Sequence, residues 1–196
     1  MCRSALLGLL FWLPALLSAQ TEYVSGLSTR WNDSFGAWEV FCVTQDTTTD
    51  PSEWEEAQCG SLQLRWLNMR DDWSEWDYEI HGKRGIIRQK WKDDPSEWEL
   101  RTFEGEVVTM RTLWRNDLKQ WRITNNDISL HFRTRWTNQL DEWRTEEHTR
   151  GQFYVYTLYR NDPRDWSVRD EMTEDVPETM KLAMLFLAVF HGTPRM

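Results

Sequence analysis

Apolar and polar residues alternate along most of this chain with a period of two. Leu130, Phe132, Thr134 and Trp136 fall on one face, and Ser129, His131, Arg133 and Arg135 on the other. Phe153, Val155, Thr157 and Tyr159 repeat the pattern, as do Trp98, Leu100 and Thr102 against Glu99 and Arg101. Such alternation belongs to antiparallel strands with one wall in the core and one in water. Turn residues punctuate it at Gly82-Lys83-Arg84-Gly85, Gly105, Asn125-Asn126-Asp127 and Thr149-Arg150-Gly151. Together they predict a meander of about twelve short strands with no helix between them.

A repeat overlies the alternation. Asp50-Pro51-Ser52-Glu53-Trp54 recurs as Asp94-Pro95-Ser96-Glu97-Trp98, with Asp72-Trp73-Ser74-Glu75-Trp76 between them and weaker copies ending at Trp38, Trp121, Trp143 and Trp166. From Trp54 onward the gaps are 22, 22, 23, 22 and 23 residues. Seven positions earlier stands another large residue in most copies: Trp31, Met69, Trp91, Trp114, Trp136 and Tyr159, with Thr47 as the exception. Each copy is predicted to be a β-hairpin whose two large residues face each other. In the copy around Trp91 and Trp98, Asp94-Pro95 suits the first two positions of a type I turn, and Asp162-Pro163 repeats that chemistry. The same register sets Lys92 opposite Glu97, Arg160 opposite Asp165 and Arg70 opposite Glu75, pairs worth a few tenths of a kcal/mol, roughly. With Thr47 facing Trp54, it also sets Cys42 directly opposite Cys59, on the sheet face away from Trp54. One interval does not fit. The ten residues from Trp38 to Thr47 are too few for two strands and a turn.

The end of the chain reads differently. Asp175-Val176-Pro177-Glu178 looks like a helix start, with Asp175 as N-cap and proline in the first turn. After Met180, nine residues from Leu182 to Phe190 carry no polar group, and Gly192 and Pro194 close the run. A helix apolar on every side is buried on every side. It reaches ~20 Å, too short for a membrane span. A one-sided sheet of this size must close or be covered, and about eleven strands can enclose a helix where eight fill with side chains alone. The expected fold is therefore all-β with one helix: a closed antiparallel up-and-down β-barrel of about twelve strands enclosing a hydrophobic C-terminal α-helix, about 177–191. A membrane barrel is the rival, but its strands need about ten residues each and leave a helix no place.

That layout, strands followed by the Met180 to Phe190 helix, resembles the tubby-like and LURP-one-related β-barrel superfamily. The resemblance implies the fold. The phosphoinositide-binding basic residues and Ca²⁺-linked features of that superfamily find no matching positions here.

Residues 1–19 read as a secretory signal peptide, with Arg3, an apolar run from Ala5 to Leu17 and Ser18-Ala19 before Gln20; a single barrel domain then occupies 20–196. Export predicts a secreted or periplasmic location and makes Cys42 and Cys59 a structural disulfide. Of 196 residues, 32 are acidic and 23 basic, a net charge of −9 that argues against a nucleic-acid partner.

Fourteen tryptophans demand a large aromatic core or an aromatic surface. Their alternation with Leu, Thr and Phe predicts that most pack inward and cap the core. Trp66 and Trp73, off the pattern, are expected to be exposed and are the candidate ligand contacts. Turn chemistry accounts for Asn32-Asp33, Asp71-Asp72, Asp93-Asp94, Asn116-Asp117 and Asn161-Asp162 without calcium. His81, His131, His148 and His191 are scattered, none at zinc spacing. His191 closes the helix as a C-terminal charge partner. No nucleophile, phosphate-loop or dinucleotide motif is present. The expectation is a chain with no catalytic residues, cofactor or metal: a structural or interaction module of the cell envelope or extracellular space with an unidentified protein partner. The alternative is a glycan- or lipid-binding protein using rim tryptophans.

Overall fold

The computed structural model describes residues 21–45, 55–66, 72–146 and 149–194. Twelve antiparallel strands follow one another around a closed barrel: β1 (Thr21–Trp31), β2 (Ser34–Gln45), β3 (Glu56–Leu64), β4 (Glu75–Ile80), β5 (Lys83–Trp91), β6 (Asp94–Thr102), β7 (Val107–Thr112), β8 (Gln120–Thr124), β9 (Ser129–Thr134), β10 (Glu142–Thr145), β11 (Phe153–Tyr159) and β12 (Asp162–Asp170). β12 returns to β1, with Leu27 opposite Trp166, so no edge is left open. Odd-to-even connections gather at one end of the barrel, the tip end, and even-to-odd connections at the other, the return end.

The lumen holds α1 (Glu178–Gly192), which is buried from Thr179 through Phe190. It starts at the return end, where Thr179 donates to Glu106, and finishes at the tip end, where the His191 ring lies 5.2 Å from Trp121. Phe186 and Phe190 meet Trp98 edge-on at 4.9 and 4.6 Å, contacts worth about 0.5–1.5 kcal/mol each beyond the area they bury. One charge interrupts the apolar run, and it is matched: Lys181 Nζ lies 2.7 Å from Asp170 Oδ2 on β12, both side chains covered. Asp175 is not the N-cap. Pro177 occupies that position with no side-chain cap, and Asp175 instead binds Arg150 and Thr173.

The repeat turns out to encode two tryptophans with opposite roles. Trp38, Trp76, Trp98, Trp121, Trp143 and Trp166 point inward and are at most 2% exposed. In each, the indole N–H donates to the carbonyl three residues earlier, at 2.8–3.1 Å: Phe35, Trp73, Pro95, Leu118, Leu140 and Pro163. One position further back, an oxygen of Ser34, Asp72, Asp94, Asp117 or Asp162 accepts the backbone N–H two residues on. The Asp-Pro-Ser-Glu-Trp string is thus a device for burying an indole with its one donor satisfied.

The partner residues do not face these tryptophans. Gln89, not Trp91, lies opposite Trp98, and Trp91 lies opposite Asp94. The turn comes earlier than expected, at Lys92-Asp93, with Asp93 at φ 63°, leaving Asp94-Pro95 inside β6. Register shifts just before Trp31, Trp91 and Tyr159 re-aim those side chains outward. The facing charges move with the register. Glu97 pairs with Lys90 at 2.6 Å and not with Lys92, and Asp165 accepts from Ser28 and not from Arg160. Glu75 meets Arg65 at 3.6 Å. Arg70, Thr47, Trp54, Met69, His148 and the 1–19 segment lie outside the described residues. Because Trp38 and Trp76 belong to successive tips, the copy ending at Trp54 falls out of series, between β2 and β3 in chain order. That resolves the short interval.

Cys42 and Cys59 are bonded, with Cα atoms 5.6 Å apart. Their register differs from the expected one: Cys42 is buried on the inner face opposite Ala57, and Cys59 is the extra residue where the β2–β3 ladder shifts. Outside, strands are laced by ion pairs such as Arg88 with Glu99 and Arg84 with Glu79, a wall suited to water and not to acyl chains. Among the described residues no helix is long and apolar enough to cross a membrane.

Candidate functional site

The tip end is ringed by aromatics that the core does not use. Trp31, Trp66, Trp91, Trp114, Trp136 and Tyr159 are 40 to 66% exposed. Apart from Trp66, these rings were expected to cap the core; register shifts turn Trp31, Trp91 and Tyr159 outward instead, and Trp114 and Trp136 stand in tip loops. Several are pinned. The Trp91 indole donates to Glu97 at 3.1 Å while Lys90 stands over the ring at 5.8 Å. Burial pushes the Glu97 carboxyl up, but the hydrogen bonds from Lys90 and Trp91 outweigh it and hold it below its usual range. Around Trp136 the clamp is tighter. One oxygen, Glu142 Oε2, accepts from the Trp136 indole at 3.2 Å, from Arg135 at 3.2 Å and from Tyr154 at 2.7 Å. Arg135 stacks on the ring at 5.0 Å. Burial, then the Glu142 bond, raises the Tyr154 hydroxyl above its ordinary pKa. A planar ring with a fixed edge and one covered face leaves the other face for a ligand.

Of the two tryptophans singled out from the sequence, Trp66 is 40% exposed at the β3–β4 tip. Trp73 is half-buried, its ring 5.9 Å from Trp76 and its carbonyl holding that indole, so it covers the core.

Between the β7–β8 and β9–β10 tips, which carry Trp114 and Trp136, opens a cleft of about 630 Å³. Leu118, Lys119, Arg133, Arg135 and Leu140 line it, and His191 from the end of α1 closes its inner side. Arg135 also borders a second groove of about 150 Å³ with Arg144, Tyr154 and Arg169.

Arg133 and Arg144, which border these grooves, belong to a row of arginines that the sequence reading missed. Arg111, Arg122, Arg133 and Arg144 stand one per strand on β7 to β10, each eleven residues after the last. Arg111 lies directly opposite Arg122, and Arg133 directly opposite Arg144. His131, Tyr154 and Arg169 continue the row across the ladder. Like charges in facing positions weaken a sheet. Among the described residues carboxylates offset part of this charge: Glu97 lies opposite Arg111, and Glu146 and Glu171 stand 2.6 Å from Arg133 and Arg169.

No protein family, curated protein or solved structure matches the chain. The row was open to detection in the sequence as an eleven-residue arginine spacing, which carries Arg111 to the position facing Arg122 and Arg133 to the position facing Arg144, while Arg122 faces His131. A different group could hold a metal: Cys42, Cys59 and His81 at the return end, whose ligand atoms lie within 4.8 Å of one another.

Proposed function

We propose that the protein is a non-catalytic, exported interaction module whose arginine row and aromatic tips bind an acidic carbohydrate. The observation that carries this reading is the two facing pairs of arginines, Arg111 with Arg122 and Arg133 with Arg144. The ladder would be more stable without that repulsion, and a bound polyanion relieves it. Guanidinium groups give bidentate bonds to carboxylates or sulfates. Trp114 and Trp136, in the loops that bound the cleft, add ring faces for stacking against sugars. The disulfide supports an exported setting, where such polymers are found. The enclosed helix supports a likeness in layout to the tubby-like barrels.

The test is calorimetry of the full chain against oligogalacturonate, neutral cello-oligosaccharide and vesicles containing anionic lipid. The expected result is salt-sensitive binding of oligogalacturonate, weakened about tenfold or more by Arg122→Ser with Arg144→Ser, and no binding of the neutral chain. Binding of vesicles alone would move the ligand to lipid. Oligogalacturonate binding that the double variant leaves unchanged would remove the arginine row from the account.

A further inference from the structure

At the return end, opposite the aromatic tips, the barrel gathers a second set of reactive side chains. The β4–β5 turn is made by His81 and Gly82, both at positive φ (46° and 77°), which projects His81 over the end of β2. His81 Nε2 lies 3.5 Å from Cys42 Sγ and 2.9 Å from Glu22 Oε2. Its other nitrogen, Nδ1, lies 2.8 Å from Glu178 Oε1, on the first residue of α1. Lys83 Nζ stands 3.6 Å from the second oxygen of Glu178. Five elements thus meet here: β2, β3 and the β4–β5 turn bring two sulfurs and an imidazole to one point, while β1 sets the Glu22 carboxylate against one nitrogen of that imidazole and α1 sets Glu178 against the other.

We propose that this is a redox-gated zinc site. When a dithiol reductant opens the Cys42–Cys59 bond, the two thiolates, His81 Nε2 and Glu22 bind one Zn²⁺. The ligand atoms of a tetrahedral zinc stand roughly 3.3–3.8 Å apart, from bonds of about 2.0–2.3 Å. The Cys42, Cys59 and His81 ligand atoms already lie within 4.8 Å of one another, so small side-chain movements suffice. Glu178 plays the part of the outer carboxylate that fixes a ligating imidazole by accepting from its remote N–H. The exchange balances. The Cys42–Cys59 bond breaks, the reductant closes into its own cyclic disulfide, and the two thiol protons pass to solvent as the metal binds. Reoxidation by a disulfide returns the protein cross-link and releases the ion. A buried inner cysteine beside a histidine with carboxylates on both nitrogens exceeds what a purely structural bridge needs.

The test uses the full chain with Cys2→Ser, reduced by a phosphine and titrated with Co²⁺ while far-UV circular dichroism follows the fold. The expected result is a thiolate-to-cobalt charge-transfer band with tetrahedral d–d bands, displaced by Zn²⁺. His81→Ala should abolish the tetrahedral bands, and Glu178→Gln should weaken binding about tenfold or more. Three results would overturn the proposal: a folded, reduced chain without the band, a reduced chain that unfolds and is not restored by Co²⁺ or Zn²⁺, or a spectrum that His81→Ala leaves unchanged.

Discussion

Trp91 and Trp98 come from one repeat, and the structure assigns them opposite energetic weights. Trp98 is fully buried; Trp91 is 57% exposed. A tryptophan buries about 150–250 Å², which at ~25 cal/mol per Å² is about 4–6 kcal/mol as an upper bound. Truncation at position 98 would also remove both edge contacts with α1 and leave the Pro95 carbonyl, 3.0 Å from the indole, without its donor. Trp98→Ala should therefore cost about 4 kcal/mol, within the range measured for such deletions. Trp91→Ala gives up one ring-cation contact and one exposed hydrogen bond, so its cost should stay below about 1 kcal/mol. Urea unfolding of the oxidised protein, followed by far-UV circular dichroism, measures both; fluorescence would be confounded by the substitutions themselves. A barrel of ordinary stability has about 5–15 kcal/mol to lose, so the Trp98 variant should melt early but still cooperatively. Equal losses at the two positions, or a larger one at Trp91, would refute the division of the repeat into core and surface members.

Lys181→Met should cost about 3–5 kcal/mol in the same assay, because it strands the covered Asp170 carboxylate, and adding Asp170→Asn should recover most of the loss. The turn carboxylates set an acid response. Asp94 and Asp72 are held below the usual range by the hydroxyl and then the N–H of Ser96 and Ser74, and Asp162 by Arg164. With folded values below unfolded ones, their stabilisation is present above about pH 4 and fades as pH falls through the folded values. The triple Asn variant, which keeps the acceptor oxygens, should thus lose less stability than the parent between about pH 5 and pH 2.5 in acid titrations of the melting temperature.

The barrel and its helix were legible because both are written as one-dimensional patterns. A period of two makes a wall with an inside, and the run from Leu182 to Phe190 can only belong in that inside. What the pattern could not carry was register. A single extra residue at Cys59, or a shift beside Trp91, changes which side chains meet without altering composition or periodicity. The expected facing of Trp91 and Trp98 failed for that reason; Trp73 is half-buried for another, its ring lying on Trp76 and its carbonyl holding that indole. The site suffered more than the fold. The Arg111 to Arg144 row leaves a trace in spacing, but the approach of His81 to Glu178, 97 positions away, leaves none.

The helix also follows all twelve strands in chain order, and the seam that seals the barrel joins its first strand to its last. No run of strands shorter than the full set can therefore close around its filling. Contacts so distant in sequence make for slow maturation, with the greasy inner faces uncovered meanwhile. Until that seam pairs and the helix is seated, the unfinished wall offers its inner face to aggregation.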